Sequence, residues 1–106
     1  MSRIVSEQEF HNRLFHDLVI RAYGGARERA VTGPGRSGAI ASVYASHILG
    51  IPWIPYGQSC PLKPVLIVDT AAKTGRTLRK ALTKYRTDRF CVPFSEPPRV
   101  RFWYES

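Results

Sequence analysis

The chain has 106 residues, 43% of them hydrophobic, and sixteen Lys and Arg against eight Asp and Glu give it a formal charge of +8. That suffices for a single domain over residues 1–106 with one core, excludes a second substrate domain, and favours phosphorylated or otherwise acidic partners. Cys60 and Cys91 lack the spacing of a zinc site or a disulfide scaffold, and neither an apolar leader nor a run of roughly 20 apolar residues is present, so a cytoplasmic protein outside the membrane is expected.

Taken in chain order, Ser6 followed by Glu9 forms a capping box, after which Phe10, Leu14, Leu18 and Ala22 recur at helical spacing as far as Gly24-Gly25. This predicts an amphipathic first helix. Residues 30–33 read as a short strand, followed by the turn Gly33-Pro34-Gly35-Arg36-Ser37-Gly38 and a helix over 39–49 closed by Gly50. That helix is apolar on nearly every face, which predicts that it is buried. Residues 51–55 are extended, but two prolines restrict them to a sheet edge. Val65-Leu66-Ile67-Val68, with three β-branched members, reads as a short buried strand. A helix over 75–85 follows, with Leu78, Ala81, Leu82 and Tyr85 as its buried stripe. Residues 90–94 and 100–104 complete the set as strands. Strands alternating with helices imply an α/β domain of three layers around a mainly parallel, doubly wound sheet with right-handed crossovers.

The segment after the Val65 strand carries most of the functional information. It runs Asp69-Thr70-Ala71-Ala72-Lys73-Thr74-Gly75-Arg76-Thr77-Leu78, a small, hydroxyl-rich loop leading into a helix. Backbone N–H groups at a helix start have no partners within the helix, and the aligned peptide dipoles add partial positive charge there. Such a place holds phosphate without a dedicated cation. In doubly wound sheets ligands lie beyond the carboxyl ends of the strands, where strand order reverses. If the 30–33 and 65–68 strands are neighbours there, the two loops face each other across one crevice, each able to hold a phosphate group.

These residues together resemble the type I phosphoribosyltransferases. An apolar strand, an acidic residue, a few variable residues and a Thr-Gly-x-Thr turn match the family's signature, while Val31-Thr32-Gly33-Pro34-Gly35-Arg36-Ser37-Gly38 looks like its pyrophosphate loop. With Leu49-Gly50-Ile51-Pro52 the likeness covers about residues 30–90. It implies that Asp69 hydrogen-bonds a ribose hydroxyl, and that Thr70 and residues 71–77 wrap a 5-phosphate. Arg36 and the backbone of Gly35 and Ser37 would face the pyrophosphate. It further implies magnesium bridging the pyrophosphate and ribose hydroxyls of phosphoribosyl pyrophosphate (PRPP). The family reaction displaces pyrophosphate from the anomeric carbon by a base nitrogen, so positioning and charge stabilisation carry the catalysis.

Three departures bear on turnover. Thr70 stands where the family has a second acidic residue; residues 56–64 are too few for a long mobile loop that excludes water; and only the first helix and the last dozen residues remain for a base-recognising hood. Dimerisation would be one way to supply a lid or hood.

Plainer readings stand beside these. Asp69 at a strand end also suits a turn cap, Lys73 suits a solvated loop charge, and Ser37 lacks the partners of a hydrolase nucleophile. His11, His16 and His47 lie on predicted helices without ligand spacing, and Cys60 reads as an inert thiol. The functional alternative is a non-catalytic nucleic-acid- or protein-binding module. Arg76, Lys80 and Lys84 recur four residues apart opposite the apolar stripe, Arg79, Arg86, Arg89, Arg99 and Arg101 extend the charge, and Phe102, Trp103 and Tyr104 are interleaved with it.

Overall fold

The computed structural model describes residues 3–71, 75–94 and 101–105. Its elements are β1 (Ile4–Val5), α1 (Glu7–Tyr23), β2 (Ala30–Thr32), α2 (Gly35–Leu49), β3 (Val65–Val68), α3 (Arg76–Tyr85), β4 (Phe90–Cys91) and β5 (Arg101–Phe102), with a 3₁₀ turn over Trp103–Glu105.

The local signals act as their chemistry dictates. Ser6 caps α1, its hydroxyl accepting from the Glu9 N–H at 3.1 Å, while the Glu9 carboxylate pairs with Arg3. Phe10, Leu14 and Leu18 form the buried stripe of α1. All four residues of β3 are buried, as its continuous apolar run requires of a central parallel strand. The strands β2, β3 and β4 pair in that order, all parallel. Trp53 bridges to Val31 on the outer side of β2, so the proline-bearing 51–55 segment is the poorly paired edge that its sequence predicts.

One face of this sheet, through Val31, Leu66 and Val68, packs on α1 and α2; the other, through Ala30, Val65 and Ile67, packs on Ala81 and Tyr85 of α3. The layers are therefore helix, sheet and helix. Glu28, almost wholly buried, accepts from Arg21 at 2.6 Å and Arg89 at 3.2 Å and ties the end of α1 to the start of β4.

Several expectations need correction. The helix predicted over 39–49 begins earlier, at Gly35, because the Gly38 N–H bonds to the Pro34 carbonyl and closes a first turn inside the glycine segment. It is not buried all round: Gly38, Ala41, Ser42 and Ala45 face inward, whereas Val43 is 37% exposed. Sheet and α1 cover only one side of it. The strand predicted over 90–94 shortens to two residues. The strand predicted over 100–104 shortens to Arg101–Phe102, with residues 95–100 outside the described part. That last strand does not extend the central sheet. It pairs in parallel with Ile4–Val5, a strand the sequence reading did not predict.

Candidate functional site

The register Thr32↔Ile67 makes β2 and β3 adjacent and parallel. The chain leaves β2 through α2 to the Trp53 edge and comes back to β3 on the opposite side of β2. Strand order therefore reverses between β2 and β3, and the segments leaving their carboxyl ends start side by side, where sheets of this kind bind ligands. A Cβ on Gly33 would lie under 3.0 Å from the carbonyl oxygens of both Val68 and Gly38, so the two loops touch through backbone.

Both helices that begin at this edge have open amino ends. The cap position of α2 is Pro34 and that of α3 is Gly75, in the left-handed region at φ 76°; neither supplies a side-chain hydrogen bond, and neither first turn holds an acidic residue. In contrast, α1 has the Ser6 cap with Glu7 and Glu9 beside it. The first-turn N–H groups and dipole charge of these two helices are thus not offset by a side-chain cap or an acidic residue.

Asp69 stands between them. Its N–H donates to the Cys91 carbonyl at 3.2 Å, its Oδ1 accepts from the Thr70 N–H at 2.8 Å, and the Thr70 carbonyl accepts from the Phe94 N–H. The loop is therefore anchored to β4 and to the turn that follows it, on the two sides of the carboxylate. Burial pushes the Asp69 carboxyl up to about 6, against the lowering effect of the Thr70 N–H. At neutral pH it remains mostly ionised and can accept hydrogen bonds from hydroxyls, while titrating near the range where proton transfer is useful.

The other sequence-predicted residues fall around this centre. Gly33, Pro34 and Gly38 are buried, Gly35 and Arg36 are exposed, and Ser37 is half-buried. Thr70 is buried, Ala71 packs on the core, Gly75 sets the turn, and Arg76 and Thr77 are exposed on the first turn of α3. Ala72, Lys73 and Thr74 lie outside the described residues. Two residues here have no role at this site in the sequence-based expectations. Tyr104 donates from its hydroxyl to Ser37 Oγ at 2.7 Å, a contact across 67 positions with no local signal. Thr32, at the carboxyl end of β2, is fully buried, and its hydroxyl has no hydrogen-bond partner among the described residues.

An orphaned buried hydroxyl costs about 1 to 3 kcal/mol. Thr32→Val, which keeps the shape and removes the hydroxyl, is expected to raise the unfolding free energy of the ligand-free protein by about 1 kcal/mol, read as a higher urea midpoint with unchanged slope.

Magnesium is commonly held by one or two carboxylates together with the oxygens of a phosphate ligand. Asp69 supplies one such carboxylate, and no cluster of three or more His, Cys, Asp and Glu occurs among the described residues.

The basic surface is reshaped by the fold. Tyr56, Arg76, Arg79, Lys80, Thr83 and Lys84 line a surface cleft of about 530 Å³ along α3. Arg89, however, is engaged with Glu28, and Arg99 lies outside the described residues. The three aromatics do not form a stacking platform. Phe102 is buried and makes edge-on contacts with Phe10 and Phe94, while Trp103 packs on Phe10 and Tyr44. Among the described residues no helix is long and apolar enough to cross a membrane. Cys60 and Cys91 are both buried and free, and burial pushes the Cys91 thiol up to about 12.

No family model matches the sequence, and no curated protein matches it either. Solved structures do match over nearly the whole chain. The Helicobacter pylori xanthine-guanine-hypoxanthine phosphoribosyltransferase superimposes with a TM-score of 0.67 at 14% identity, over 99% of this chain and 93% of that one. The chain has the phosphoribosyltransferase fold. A purine phosphoribosyltransferase from Pyrococcus horikoshii OT3 gives a TM-score of 0.60 at 21% identity, over 95% of this chain and 85% of that one. A hypothetical protein from Neisseria gonorrhoeae with bound ppGpp gives 0.63 at 16% identity, over 96% of this chain and 81% of that one. The phosphoribosyltransferase fold therefore accounts for the parallel three-layer arrangement and spans almost all of the 106 residues.

Proposed function

We propose that this protein binds a phosphorylated ribose, as PRPP or a nucleotide, with the 5-phosphate at residues 69–77 and any further phosphate at residues 33–38. The observation that carries the reading is the backbone contact between Gly33 and Val68, which joins the segment that opens α2 to the one that carries Asp69 and leads on to α3, both helix starts being uncapped. Phosphate oxygens would take the first-turn N–H groups of α3 and the Thr77 hydroxyl, and Asp69 would accept from a ribose hydroxyl. Magnesium, bound with the ligand, would supply neutralisation of the phosphate charge beside Asp69. The neighbours of the same fold, two phosphoribosyltransferases and a ppGpp-bound protein, support this ligand class.

Calorimetric titration with magnesium and PRPP, nucleoside monophosphates and single-stranded DNA tests it. Thr77→Ala is expected to weaken the sugar-phosphate ligands about tenfold, the worth of one hydrogen bond to a charged group, and to leave any DNA affinity unchanged. A second reading, a polyanion bound along the α3 cleft beside Tyr56, rests on the basic residues there. It requires the opposite pattern, with affinity for DNA falling steeply as salt rises.

A further inference from the structure

The half of the crevice formed by residues 33–38 is met by a residue of this chain. Tyr104 donates from its hydroxyl to Ser37 Oγ at 2.7 Å, and its carbonyl accepts from Arg36 Nη2 at 3.2 Å. The Arg36 guanidinium carbon lies 5.9 Å from the centre of the Tyr104 ring. Both functional side chains of the glycine segment are thus engaged by one tyrosine. The 69–77 segment has no such contact with Tyr104 among the described residues.

Tyr104 is firmly held. β5 pairs with β1, the Arg101 N–H donates to the Arg3 carbonyl, and the Phe102 N–H donates to the Glu105 carboxylate. Phe102 is 3% exposed within the aromatic cluster around Phe10, and its ring stacks on Tyr104 at 5.7 Å with 12° between planes. A phosphate entering beside Ser37 and Arg36 therefore competes for the same space and donors with a hydroxyl bond and an arginine contact that are already made.

We infer that Tyr104 is a specificity-determining residue, which occupies the second-phosphate half of the site and makes the protein favour ribose ligands bearing one phosphate over those bearing a diphosphate at the anomeric carbon. This rests on the ligand class proposed above and selects within it. A ribose 5-phosphate or nucleoside 5′-monophosphate binds with Tyr104 in place. PRPP binds only with Tyr104 displaced from Ser37 and Arg36.

The test compares ribose 5-phosphate with PRPP, each with magnesium, by calorimetry on the wild-type chain, Tyr104→Phe and Tyr104→Ala. Tyr104→Phe removes only the hydroxyl contact with Ser37 and keeps the ring in its aromatic packing, so it remains informative if the alanine variant unfolds. The expected result is a gain in PRPP affinity of about fivefold for Tyr104→Phe, the net worth of one hydrogen bond, and a larger gain for Tyr104→Ala, with ribose 5-phosphate unchanged. An unaltered ratio of the two affinities, or weaker PRPP binding, overturns the inference while leaving the ligand class intact. Failure of the wild-type protein to bind ribose 5-phosphate at all overturns both.

Discussion

Gly33→Ala is expected to cost at least 4 kcal/mol of stability, a large share of the 5 to 15 kcal/mol that a small domain possesses, and so to leave much of the protein unfolded. An alanine Cβ there would stand under 3.0 Å from the carbonyl oxygens of Val68 and Gly38 and 2.6 Å from the Gly38 carbonyl carbon. All three atoms are backbone and belong to β3 and to the first turn of α2. No side chain can swing aside, so relief requires the two loops to part. Gly24→Ala is the matched control: that glycine has φ −75° and its Cβ would meet only the Arg21 and Ile20 carbonyls at 3.4 and 3.7 Å. It should shift the urea midpoint little. A Gly33→Ala protein within 1 kcal/mol of the wild type would mean that the loops do not meet, and the proposed site would go with them.

Asp69→Asn has the second large effect, and its sign depends on pH. Burial raises the carboxyl from its ordinary 3.8 to about 6 in the folded protein. Well below pH 3.8 both folded and unfolded chains carry the proton, so the buried carboxyl is not penalised. As pH rises from 4 through 6 the unfolded chain ionises first, and stability falls until the folded carboxyl also ionises. The full interval corresponds to roughly 3 kcal/mol, which is the upper limit of the penalty. Asn keeps the Oδ1 acceptor for the Thr70 N–H and carries no charge. The variant should therefore be more stable than the wild type by about 2 kcal/mol at pH 8 and nearly equal to it at pH 4, as measured by urea unfolding at both values. The same substitution should weaken ribose phosphate binding at pH 8, because the amide accepts a ribose hydroxyl more weakly than a carboxylate. Greater stability with poorer binding is the signature of a group retained for its ligand. A variant less stable at pH 8 would instead identify Asp69 as a turn cap.

These predictions draw on features that differ in how far the sequence exposes them. Asp69 at the end of Val65–Val68, the glycine segment after β2 and the threonine-bearing start of α3 are all visible as residue types in order. Their meeting is not visible, because the clash that forbids a side chain on Gly33 involves a carbonyl 35 positions later. The Ser6 cap was readable because its partner, the Glu9 N–H, is three residues away. The early start of α2 was not, since glycine and proline mark a turn equally well whether or not a helix grows from it.

The ends of the chain show the same division more sharply. Arg101–Phe102 has the alternation of a strand, yet nothing near it specifies Ile4–Val5 as its partner, and Ile4–Val5 is too short to announce itself. From sequence, Phe102, Trp103 and Tyr104 among arginines suit a nucleic-acid surface. Once β1 and β5 pair, Phe102 turns into the core and Tyr104 reaches Ser37.

By itself the sequence determined the parallel α/β alternation, the buried central strand, the stripes of α1 and α3 and the chemistry available at two loops, because periodicity and capping act over three or four residues. Only the tertiary structure decided which loops touch, that burial raises the Asp69 carboxyl to about 6, and that Tyr104 meets Ser37 and Arg36. Each of those depends on atoms brought together across dozens of residues, where the pattern of neighbours in the chain carries no record of the neighbours in space.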